Sequence, residues 1–209
     1  MSAADPCAIF PPGQRGAGLI EVLIAALILA IGILGIIGLL GTSATAQYES
    51  IQRIRAVSLA DNILERIRRN PAGLTTYDDR DTTRPLGSGS IQQEPSPNCL
   101  SASCSPGELA AYDLWSWEQL LDGGSATITE GGKTTNTASL RELRACIDFT
   151  PDTGKTSTGI VDVILQWRGV KETGDGVQAG NAVCGGATAG SDKLRRQLVL
   201  SSYVIDETE

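Results

Sequence analysis

From Val22 to Gly41 every residue of this chain is Ala, Val, Ile, Leu or Gly, and one carboxylate, Glu21, sits at the mouth of that run. About 20 consecutive apolar residues is the length a helix needs to cross a bilayer core. A carboxylate within such a helix costs roughly 2.5–3.5 kcal/mol on insertion scales, so it calls for a functional reason. An ordinary secretory signal with a small-residue cleavage site at Ala44-Thr45-Ala46 has a shorter apolar core, typically about 7–15 residues, and leaves Glu21 without one. A plain single-span anchor leaves it equally unexplained.

The stretch Gln14-Arg15-Gly16, a small residue at Ala17 and Glu21 four positions further on resembles the type IV prepilin signal. Ala17 and Gly18 stand where most members carry Phe and Thr or Ser. The resemblance implies a leader over 1–16, cut after Gly16 by prepilin peptidase, and N-methylation of Ala17. It also implies that Glu21 pairs with the freed amine of a neighbouring subunit. The domain reading that follows is leader 1–16, a transmembrane and assembly half of a long helix over 17–46, and a head over 47–209.

From Gln47 to Asn70 there is no Gly or Pro, and Asn70-Pro71 is a stop signal. Ala56, Leu59, Ala60, Ile63, Leu64 and Ile67 fall on one arc of a helix. A helix from Ala17 to Asn70 is therefore expected, roughly 80 Å long at ~1.5 Å per residue. Its first half is apolar all round and its second half needs a domain to pack on. Gly32, Gly35, Gly38 and Gly41 recur every third residue, a pattern equally suited to close helix packing and to a segment that loosens on assembly.

About 140 residues remain for one soluble domain. Net charge is −7, which disfavours nucleic acid as a partner. Arg66, Arg68 and Arg69 form the one candidate basic patch, with cations at a helix C-terminus as the plainer account. Of the five cysteines, Cys7 lies in the leader, and Cys99, Cys104, Cys146 and Cys184 follow the apolar run in a chain without histidine. An even set beyond a membrane span reads as two disulfides in an oxidising compartment. Four cysteines permit three pairings. Ease of local closure favours 99–104 with 146–184, and zinc lacks a second close pair.

Residues 71–106 are expected to be loop. Ser105-Pro106-Gly107-Glu108 fits a helix start, giving a second helix over 106–122 on which Trp115 and Trp117 cannot both face the core. Strands are expected at Ala126–Thr129, Arg144–Phe149, Gly159–Arg168 and Gln197–Ile205, with turns at 131–133 and 151–154 and a long loop over 169–193. The fold class is α+β: a long N-terminal helix packed on a small antiparallel sheet, as in type IV pilins.

Taken together, the N-terminal run, DNILERIRRNPAG at the helix end, and Cys99 to Cys104 followed by PGELAAYDLWSW resemble the type IV pilus modification protein, the PilV-type minor pilin. That resemblance implies a minor subunit that primes assembly near the filament tip, with other minor pilins, the major pilin and a tip adhesin as partners. It implies an inner-membrane protein with a periplasmic head before assembly and a place in the extracellular pilus afterwards, where it serves adhesion and twitching motility. A minor pseudopilin of type II secretion shares the N-terminal half; an anchored binding domain with an ordinary signal peptide is the third reading. No enzymatic constellation is found and no cofactor is expected: there is no histidine to act as base or ligand, no phosphate-binding glycine loop, and Asp78, Asp79 and Asp81 lack the closing Glu of a calcium loop.

Overall fold

The computed structural model describes residues 18–87, 89–123, 127–136, 140–177, 183–185 and 192–209. The chain forms two compact units, one ending at Ala44 and one from Thr45 to Glu209. Helix α1, Leu19–Arg69, contributes to both. In the first unit it is exposed throughout and apolar from Val22 to Gly41. It is the one helix among the described residues long and apolar enough to cross a membrane. The expected start at Ala17 lies outside the described residues.

Within the second unit α1 buries Gln52, Ala56, Ala60, Ile63, Leu64 and Ile67. This is the expected arc with Gln52 added and Leu59 only partly buried. The helix ends at Arg69, and the Asn70 side chain donates to the Pro106 carbonyl at 2.8 Å.

The expected loop after Pro71 is instead helical at its start. A 3-10 turn at Pro71–Gly73 leads into α2, Leu74–Asp78. Leu74 and Tyr77 are fully buried there. Two buried residues three apart hold a helical turn that polar neighbours alone do not announce.

Helix α3 runs from Pro106 to Leu121 under a complete capping box. Ser105 accepts from the Glu108 N–H, and Glu108 accepts from the Ser105 N–H at 2.8 Å. Trp117 is buried and donates to the Leu59 carbonyl of α1 at 3.0 Å. Trp115 is half-buried, its ring centroid 5.5 Å from that of Tyr112.

A short hairpin follows, β1 Thr127–Glu130 and β2 Lys133–Asn136. The sequence pattern predicts only the first of these strands and a turn that includes Lys133, which instead opens β2. The Gly131 and Gly132 backbones, both at positive φ, make the turn on their own. The principal sheet is antiparallel with order β3-β4-β5, formed by Arg144–Pro151, Gly159–Arg168 and Arg195–Val204. The last strand begins two residues earlier than expected and ends one earlier. Val161, Val163, Leu165 and Trp167 of β4 are buried and share one core with α1, α3 and β3.

Candidate functional site

The feature that carries chemistry at the start of α1 is Glu21. Its backbone N–H donates to Gly18 at 2.9 Å in the first helical turn. Its side chain has no hydrogen bond or ion pair among the described residues, and it is exposed with the apolar residues that follow. A Cβ added at Gly32, Gly35, Gly38 or Gly41 would meet nothing within 4 Å, so within this subunit no neighbour demands glycine there. Gly16 and Ala17, the expected cleavage and methylation residues, and Cys7 lie outside the described residues.

In the head, the disulfides join Cys99 to Cys104 and Cys146 to Cys184, with Cα atoms 5.7 Å apart in each. The first closes a small loop ahead of α3 whose Leu100 is exposed. The second ties β3 to the segment after β4, and packs with Ile164 on the sheet face away from the main core.

The residues flagged for ligand binding are spent on structure. Arg66 donates to Asp113 at 3.1 Å, Arg68 to Ser202, and Arg69 to the Glu65 carbonyl. The three arginines thus hold α1 to α3, to β5 and to itself, and form no basic patch. Of the three aspartates, Asp78 accepts from the Phe149 N–H at 2.9 Å, Asp79 pairs with Arg84, and Asp81 caps Thr83. Burial, followed by the like charges of Asp148, Asp81 and Asp79, pushes the Asp78 carboxyl above the usual range. The Thr83 hydroxyl and N–H hold Asp81 below it. Among the described residues no three of His, Cys, Asp or Glu gather as a metal site.

Several structural polar groups were not singled out from the sequence. Asp113 accepts from Tyr77 at 2.6 Å while pairing with Arg66. Burial, then this bond, raises the Tyr77 phenol far above its ordinary value. Glu49 accepts from Arg196 at 3.0 Å and from the Lys171 N–H, closing α1 onto the sheet end. Glu118, fully buried on α3, takes the N–H groups of Gly87 and Ser90.

Two family models match the chain. Residues 11–37 match the prokaryotic N-terminal methylation motif, and residues 39–115 match the Tt1218-like family, described as type IV pilin Tt1218. No curated protein and no solved structure matches it. Over those residues the chain is similar to type IV pilins, and a long apolar N-terminal helix with a three-stranded antiparallel sheet is a type IV pilin-like architecture. The match that reaches the head runs from the apolar end of α1 into α3 and takes in the Cys99–Cys104 loop. The sheet lies beyond both matches.

Proposed function

We propose that the chain is a minor pilin that helps prime type IV pilus assembly and sits at or near the filament tip. The observation that carries the reading is Glu21: one carboxylate without a side-chain partner among the described residues, placed within the methylation motif and ahead of about 20 apolar residues. Prepilin peptidase removes residues 1–16, cutting after Gly16, and methylates Ala17. Residues 17–46 hold the subunit in the inner membrane with the head, 47–209, in the periplasm. A lone carboxylate in hydrocarbon is relieved by a nearby cation. The amine of Ala17 on an adjacent subunit supplies that cation during assembly, drawing the helix out of the lipid and into the filament. Other minor pilins, the major pilin and a tip adhesin are the partners in this scheme. The resemblance of the Cys99–Trp117 block to PilV-type minor pilins supports the pilus assignment.

Intact-mass analysis of the mature protein, with immunoblotting of sheared filaments, tests the proposal. The expected result is N-methyl-Ala17 as the first residue and the protein in the filament fraction. A mature chain beginning at Gln47 would replace the reading with an ordinary signal peptide.

A further inference from the structure

The outer face of the β3-β4-β5 sheet holds an unresolved charge problem. Register puts Asp148 of β3 directly across from Asp162 of β4, with Ser201 of β5 next in the row. Like charges in facing cross-strand positions repel. The Oδ1 atom of Asp162 is buried and finds no hydrogen-bond donor. Neither aspartate forms an ion pair among the described residues. A buried carboxylate oxygen without a donor is the arrangement folded proteins avoid.

Of the rows on either side, one holds Thr150 beside Ile160, and in the other Ile164 is only 2 % exposed, packed with Cys146 and Cys184. Ile160 faces Tyr203 in one and Ile164 faces Val199 in the other. Ile160 is 47 % exposed, Tyr203 52 % and Val199 43 %. The exposed part of the face is thus a carboxylate pair flanked by Ile160 and Tyr203 on one side and by Val199 on the other. A lysine or arginine fits both parts, since its stem covers apolar surface while its head carries charge and donors. This chain shows what such a partner helix looks like. Around Arg53 and Arg55 of α1, both exposed, Ile51 is 49 % and Ile54 66 % exposed.

We propose that this sheet face is the docking surface for the basic, isoleucine-bearing helix of a neighbouring pilin-class subunit, which sets a cationic side chain between Asp148 and Asp162. The inference rests on the assembly reading above and adds to it the surface by which the head recognises its neighbour. Charge complementarity gives such a contact its register and its selectivity.

The test uses the full-length chain carrying Ser201→p-benzoylphenylalanine, expressed in its own filament-forming host and irradiated during assembly. The expected adduct is with a pilin-class subunit, mapped by mass spectrometry to a helix peptide containing Arg or Lys. D148K/D162K should reduce it at least tenfold. D148N/D162N, which removes the charge and its repulsion without adding volume, should reduce it several-fold with no fall in melting temperature. EDTA should leave it intact. An adduct undiminished in both double variants, an adduct on a segment without a cation, or no adduct would overturn the proposal. So would loss on EDTA, which would mean that a divalent ion bridges the aspartates. Absence of the parent protein from sheared filaments would remove the assembly reading itself, and this inference with it.

Discussion

Glu118, fully buried in α3, accepts the Gly87 N–H at 2.7 Å on one oxygen and the Ser90 N–H at 2.5 Å on the other. The same loop is joined to β3, because Leu86 and Ala145 exchange backbone hydrogen bonds. Gly87 has φ of +104°, and a Cβ there would stand 2.3 Å from the Leu143 carbonyl oxygen. Glu118, with Asp122 accepting the Gly89 N–H at 3.0 Å, thus docks a loop that in turn covers the β3 edge of the sheet. Arg80 and Asp78 complete that cover by accepting from Ile147 and Phe149.

Glu118→Ala should therefore destabilise the head by about 2–4 kcal/mol, since it removes the acceptor of the Gly87 and Ser90 N–H groups and opens a cavity at a fully buried position. Glu118→Gln should cost less, about 1–3 kcal/mol, because its amide can accept from only one of the two donors. Urea unfolding of the full chain in detergent measures both. Equal stability of Glu118→Gln and wild type would show that the clamp is not needed.

Loss of the two disulfides should have unequal effects. By loop entropy the Cys146–Cys184 bond, spanning 38 positions, contributes about 4 kcal/mol, and the Cys99–Cys104 bond, spanning 5, about 2. Cys146→Ser with Cys184→Ser should lower the melting temperature of the whole head. The other double variant should chiefly raise hydrogen exchange between Cys99 and the first turn of α3. A larger global effect from the short loop would contradict this ordering.

Acid should act in opposite senses at two carboxylates. Asp78 has a folded pKa above its unfolded value, so the folded state binds this proton more tightly. Its charge costs stability above the raised pKa, and the cost is relieved as pH falls through that value. Asp78→Asn keeps an oxygen for the Phe149 N–H and removes the repulsion from Asp148, Asp81 and Asp79. It should be as stable as wild type or more so at pH 7, with the advantage gone at pH 3. A melting-temperature difference that does not vary with pH would refute this account.

Glu108 behaves the other way. Its bonds from the Ser105 N–H and hydroxyl depress its pKa. Its contribution is present above the unfolded value and lost as pH falls through the depressed one. Ser105→Ala should cost about 1 kcal/mol of α3 stability at neutral pH and flatten the acid dependence that Glu108 adds. Unfolding curves at pH 7 and pH 3 compare the two proteins.

The legible parts of the fold were those written in local chemistry. Ser105-Pro106-Gly107-Glu108 marked the α3 start because a capping box is complete within four residues. The alternation of Val161, Val163, Leu165 and Trp167 marked β4 because one face of the sheet is buried. What escaped depends on distant partners. Tyr77 lies in a stretch of Thr and Asp, and only its bond to Asp113 and its place under α3 make α2 part of the core. Glu118 is one more acid on a helix until Gly87 and Ser90 are folded against it. Glu49 precedes the apolar arc of α1 and is drawn in by the end of the sheet, where Arg196 reaches it. At Glu21 the sequence alone speaks, since no side chain among the described residues meets it.

Glu21→Ala should separate insertion from assembly. Removing the carboxylate eases entry into the bilayer by roughly 2.5–3.5 kcal/mol on insertion scales, so membrane-fraction levels should match or exceed wild type. Leader cleavage should continue, because Gly16 and the residues around it are unchanged. The protein should nevertheless be lost from the sheared filament fraction, since the amine of the neighbouring subunit has no counter-charge to meet. Glu21→Gln, which keeps the shape and one acceptor, should fail in the same fraction if charge pairing is the requirement. Ser or Thr placed singly over residues 22–41 should be far milder, because neither alters the charge. Normal filament incorporation of both Glu21 variants, at wild-type expression and processing, would show that the carboxylate is not what draws the subunit into the fibre.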